Sequence, residues 1–175
     1  MSSPGEGCGN GRTGGCMRFV RVEFTRDGTY SDPRDYLEQL PALAALLPAG
    51  ARAFATDPEH YNYYGQRCVK DLKPQHLTAG EDNGTSWLEL GLRHNCWKHE
   101  EDLTIRYSGV DRVTMDPAGD NLDVTHLQDV MLDEVLPDER GCRHEIACLS
   151  GSLTITCEDL VAIWADSNCP ERVLR

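Results

Sequence analysis

The chain has 175 residues, with 29 acidic against 17 basic side chains and a formal net charge of −12. That balance argues against a nucleic-acid grip through clustered Lys and Arg, and against docking on an anionic membrane leaflet. No apolar run approaches the roughly 20 residues that span a bilayer, and the polar, Gly-rich N-terminus lacks the apolar segment of a secretory signal.

Residues 1–16, MSSPGEGCGNGRTGGC, carry no large apolar side chain after Met1. They cannot offset their ordering entropy by burial and read as a disordered tail. Residues 17–175 then form one domain. Val20, Val22 and Phe24 alternate with Arg21 and Glu23 as a half-buried strand. Asp32-Pro33 marks a helix start, and Tyr36, Leu37, Leu40, Leu43, Ala44 and Leu47 recur at three and four. Pro48-Ala49-Gly50 is read as the stop, with a short strand over Ala51–Thr56. A weak strand is expected around Cys68–Leu72, and GEDNG at 80–84 is a turn. Clean alternation over Trp87–His94 and Leu103–Tyr107 gives two further strands, followed by shorter ones at Arg112–Asp116 and Val130–Leu136.

The clearest element is a hairpin. With Ser150-Gly151 as its two-residue turn, His144, Ile146, Cys148, Leu153, Ile155 and Cys157 share one face. Leu160–Trp164 is a last apolar run, after which the chain frays. The sum is an α+β fold: a mostly antiparallel meander with a late β-hairpin, covered on one face by a helix.

Eight cysteines without any Cys-x-x-Cys pair suit a reducing, cytoplasmic setting better than a disulfide framework. His94, Cys96 and His99, with Cys142 and His144 if their strands are neighbours, are the residues that zinc would select. The ligand spacing matches no closed-site pattern, so no metal and no cofactor is expected. The same residues offer Cys–His pairs for nucleophilic catalysis. Acidic neighbours (Glu100, Glu101 and Asp102 by one pair, Asp138, Glu139 and Glu145 by the other) disfavour a thiolate. The loop DPAGDNLD lacks the register of a calcium loop. Nucleotide, acyl-hydrolase and zincin motifs are absent, and no catalytic residue is assigned.

Charge distribution carries more. Between Glu100 and Glu145 stand thirteen acidic and four basic residues, which is −9 of the −12. That stretch is expected to form a negative face steering a basic protein partner. Its contact residues would be Glu100, Glu101, Asp102, Asp133, Glu134, Asp138 and Glu139, with Tyr63 and Tyr64 as aromatic anchors.

Two segments, DLTIRYSGVDRVTMD (102–116) and HEIACLSGSLTITCEDL (144–160), resemble small bacterial α+β proteins, some grouped with immunity proteins of polymorphic toxin systems. The resemblance covers the C-terminal half, and its motifs are structural. It implies an acidic cytosolic inhibitor that blocks a toxin's active site. The alternative is a small enzyme or zinc-binding protein using the His/Cys cluster.

Overall fold

The computed structural model describes residues 17–117 and 123–169. The expected tail at 1–16 and most of the loop DPAGDNLD lie outside them. The architecture is α+β. Strands β1 (Arg21–Thr25) and β2 (Gly28–Asp32) form a hairpin, followed by α1 (Arg34–Ala44) and α2 (Ala49–Ala55). Eight strands follow: β3 (Lys73–Asp82), β4 (Thr85–Arg93), β5 (Glu101–Ser108), β6 (Arg112–Asp116), β7 (Val130–Asp138), β8 (Gly141–Cys148), β9 (Gly151–Cys157) and β10 (Asp159–Asp166). They make two antiparallel sheets, ordered β10-β5-β4-β3 and β6-β9-β8-β7. Each is a three-strand meander extended by one further strand, β10 beside β5 and β6 beside β9.

The sheets share a single apolar core. Leu88, Leu90, Leu103, Ile105, Tyr107 and Leu160 come from the first, and Val135, Cys142, Ile146, Leu153 and Ile155 from the second. Both helices pack on β7, and α2 also packs on β10, the edge strands of the two sheets.

Several elements differ from the sequence reading. The run expected as a strand over Ala51–Thr56 is α2, and Pro48, read as a stop, stands at the N-cap position of that helix. Small residues explain it. Gly50 lies so close to strand β10 that a Cβ there would stand 2.0 Å from the Leu160 carbonyl oxygen. Cys68, Val69 and Leu72 are buried but their segment forms turns, and the strand there begins at Lys73. The turn at 80–84 narrows to Asn83-Gly84, both at positive φ, between paired Asp82 and Thr85. That is the backbone a two-residue hairpin loop demands.

The late hairpin exists with its turn at Leu149-Ser150, so Cys142 faces Cys157 and His144 faces Ile155. The shift from the expected register is two residues. A shift of two preserves which side chains share a face, and all six predicted inward residues are buried.

Strand β7 is an edge whose first seven residues are all buried. An edge exposes unpaired backbone groups, and here side chains cover them. The Tyr36 hydroxyl donates to the Val135 carbonyl (2.8 Å) and accepts from the Val135 N–H (3.1 Å). The Tyr61 hydroxyl donates to the Asp133 carbonyl.

Candidate functional site

Three polar assemblies stand out, and they divide the residues singled out by sequence. The first is buried. Asp133, 1% exposed, accepts from His60 Nε2 through one carboxylate oxygen and from His144 Nε2 through the other, both at 2.8 Å. His60 Nδ1 meets the Phe54 carbonyl at 2.9 Å. Both His60 nitrogens thus face acceptors, so both must carry protons, and His60 is an imidazolium. His144 needs only its Nε2 proton, because its Nδ1 accepts from the Tyr107 hydroxyl at 2.8 Å. The assembly is therefore a buried ion pair extended by neutral donors.

Burial opposes charge on both partners. The Asp133 carboxylate overcomes that and raises the His60 pKa, while the two imidazoles hold Asp133 well below the ordinary carboxylate range. Every polar atom is engaged, and His60, Asp133 and His144 are each at most 1% exposed. The chemistry this arrangement performs is to lock β7 and β8 to β5 and to the segment after α2.

Glu134, 0% exposed, is the neighbour of Asp133 on the opposite face of β7. Its carboxylate accepts the backbone N–H groups of Arg18 (2.5 Å), Phe19 and Val20 (both 2.9 Å). Asp133 and Glu134 were expected on a partner-binding face. Both are internal, fully committed acceptors, and neither presents a surface to a partner.

The second assembly lies where β4 ends and β5 begins. Asp102 Oδ1 accepts from the His94 backbone N–H (2.8 Å) and from His94 Nδ1 (2.6 Å). With Nδ1 donating, the neutral ring carries its lone pair on Nε2. That atom is buried and has no hydrogen-bond partner among the described residues. His94 as a whole is 5% exposed. An imidazole nitrogen of His94 and the sulfurs of Cys96 and Cys169 lie within 4.8 Å of one another. Cys169 arrives because β10 pairs with β5, placing Asp166 opposite Glu101. The chain is then held onward by Ser167, whose N–H and hydroxyl both donate to the Glu100 carbonyl.

The expected cluster of His94, Cys96, His99, Cys142 and His144 is thus split. Only His94 and Cys96 meet. His99 uses both nitrogens on backbone: Nδ1 accepts from Asn95 N–H, and Nε2 donates to the Cys68 carbonyl. Burial depresses its pKa, consistent with a neutral ring. Cys142 stands 3.6 Å from Cys157, sulfur to sulfur, and that contact with burial pushes the Cys157 pKa far up. Neither is set up as a nucleophile. Cys169 escaped the sequence reading because it lies 73 positions beyond Cys96, in a segment expected to fray. The signal was the apolar run before it, which makes a strand and carries Cys169 back to the β4–β5 loop.

The third assembly is the acidic surface. Strand β5 spans roughly 25 Å between its ends. Glu100, Glu101 and Asp102 sit at its start. Asp138 and Glu139 sit beyond its far end, where the Glu158 N–H donates to the Ser108 carbonyl and Gly141 packs against Glu158. The expected single face is therefore two separate groups. At the first, Glu101 is paired with Arg67 and Asp102 with His94, while Tyr64 is 98% exposed. Tyr63 is partly buried and hydrogen-bonds with Ser31. At the second, four hairpin and crossover turns converge. Gly84, Asp111, Arg140 and Glu158 line one open depression, with Asp82, Asp138 and Glu139 in the adjoining turns. Arg106 is held by Asp82, and Arg140 by Asp111.

No protein-family model matches this chain, and searches of curated proteins and of solved structures find no significant relative. No helix among the described residues is long and apolar enough to cross a membrane.

Proposed function

We propose that the protein is a small acidic binding protein of the cytoplasm, of the immunity type, whose far rim engages a basic partner and blocks it. One observation carries the reading. The turns β3–β4, β5–β6, β7–β8 and β9–β10 bring Asp82, Asp111, Asp138, Glu139 and Glu158 to one end. Only two of these carboxylates, Asp82 and Asp111, are in ion pairs among the described residues. Asp138, Glu139 and Glu158 remain to meet incoming cations, with Arg112 and Arg143 side by side across Thr156 and Arg143 paired with Glu145.

Turns held by sheets suit such a role, because a rigid scaffold positions the contact groups in advance. Charges on a rim act mainly on association rate and on partner choice. The chemistry fits a partner whose own active site is lined by Lys and Arg.

The test uses the product of a reading frame adjoining this gene, purified as a basic domain. Stopped-flow association is measured at low and high salt, with the native chain and with a Asp138→Lys, Glu139→Lys double variant. A rate that falls steeply with salt and drops about tenfold or more in the variant supports the reading. A salt-independent rate, or no binding to a basic partner, contradicts it.

A further inference from the structure

We propose that His94, Cys96 and Cys169 bind a divalent cation of the zinc class, and that this ion fastens the C-terminal segment to the β4–β5 loop. The inference does not rest on the acidic rim, which lies at the other end of β5.

Three independent features point to a ligand. The first is the donor set. One imidazole nitrogen and two cysteine sulfurs converge within 4.8 Å, and such a mixture selects zinc over magnesium or calcium, which require oxygen. The second is the unsatisfied atom. His94 is 95% buried by residue, its Nδ1 is engaged by Asp102, and its Nε2 has no hydrogen-bond partner among the described residues. A buried lone pair without a donor is unfavourable, and a cation satisfies it. The third is Asp102. A carboxylate on the far nitrogen of a histidine fixes its tautomer and orientation and raises its basicity, which is the outer-shell arrangement of zinc-bound imidazoles.

The ligand atoms of a tetrahedral zinc stand about 3.3–3.8 Å apart, given Zn–N and Zn–S distances near 2.0 and 2.3 Å. The three groups, already within 4.8 Å of one another, therefore need to close by at most roughly an ångström. Two of them sit on irregular chain, Cys96 in the β4–β5 loop and Cys169 after β10, where such movement is available. Cys96 is only partly buried, so the ion has access. Binding replaces two thiol protons, which pass to solvent, with two metal–sulfur bonds. A neutral His94 ring loses none. The three protein ligands leave a fourth position for water.

The experiment uses the full chain, reduced, stripped of metal with a chelator and titrated with cobalt(II) and then zinc. The expected result is uptake of one equivalent of cobalt, with a thiolate-to-metal charge-transfer band and tetrahedral ligand-field bands, displaced by zinc. His94→Ala and Cys169→Ser should each weaken binding by about 100-fold or more. Asp102→Asn, which keeps the side-chain shape and an acceptor oxygen but not the charge, should weaken it by about 10–100-fold. Cys142→Ser should bind as the native chain does. Circular dichroism checks each fold; Cys169→Ser, at the end of the described chain, remains decisive where His94→Ala fails to fold. Unchanged binding in Cys169→Ser, or no stoichiometric uptake, overturns the proposal. So does a Cys96–Cys169 disulfide that forms in air and persists in the presence of zinc.

Discussion

Around Asp133 the placement of single protons decides what the side chains can do. His60 must hold two, because a carbonyl and a carboxylate face its nitrogens, while His144 holds one and takes a second bond from Tyr107. Removing one partner of a buried ion pair strands the other, at a cost of about 3–5 kcal/mol. Asp133→Asn is expected to lose that much in urea unfolding. The pH dependence follows from the two shifts. The folded pKa of His60 is raised, so its stabilisation is complete below its ordinary value of about 6.5 and fades as pH rises through the folded value. The folded pKa of Asp133 is lowered, so its share is present above about 3.9 and is lost only in stronger acid. Native protein should therefore lose more stability between pH 6 and pH 9 than Asp133→Asn does; equal slopes for the two would contradict the imidazolium assignment. None of this was readable from Asp133-Glu134 as a sequence pair, which looks like solvated charge. A strand sends neighbours to opposite faces, and here both faces are covered.

The elements are held by carboxylates reaching across the chain. Asp159, at the start of β10, accepts from the N–H groups of Gly50 and Ala51 and so caps α2 from outside the helix. Asp159→Ala should cost about 1–2 kcal/mol, as loss of a cap does. Gly50→Ala offers a contest of effects. Helix propensity favours Ala by about 1 kcal/mol, but the new Cβ would stand 2.0 Å from the Leu160 backbone carbonyl oxygen, which has no flexible end to move. The clash wins, and Gly50→Ala is expected to lower the thermal midpoint rather than raise it. Glu134 plays the same part for the N-terminal segment. Glu134→Ala leaves three N–H groups without acceptors, so the amides of Arg18, Phe19 and Val20 should exchange faster, with stability falling by about 3 kcal/mol. Elements with strong alternation, β4, β5 and the β8–β9 hairpin, were legible, and the hairpin erred only by a slip that keeps its faces. Strand β3 was not, since KPQHLTAGED on an exposed sheet edge buries only Pro74 and Leu77. Helix α2 was not, since seven residues, all small or apolar except Arg52, carry no usable period. For the cation site, His94 and Cys96 were visible and Cys169 was hidden behind a strand pairing.

Across the whole molecule the charge of −12 divides by location rather than by sequence segment. The acidic stretch from Glu100 to Glu145 contributes two carboxylates to the interior, two that are already engaged by Arg67 and His94, and a group at the opposite end. Asp82 and Glu158, outside that stretch, join the last group because turns of both sheets meet there. A rim assembled from four turns can lose charge without loss of fold. Asp138→Lys, Glu139→Lys should leave the unfolding free energy in urea within about 0.5 kcal/mol of native, as surface changes do. It should act on partner association alone. The most direct measurement is therefore the association rate of that variant and of the native chain with the basic product of an adjoining reading frame, followed across ionic strength. The account predicts a native rate that falls steeply with salt and a variant that starts slower and hardly responds. Rates that are equal for the two and insensitive to salt would contradict it.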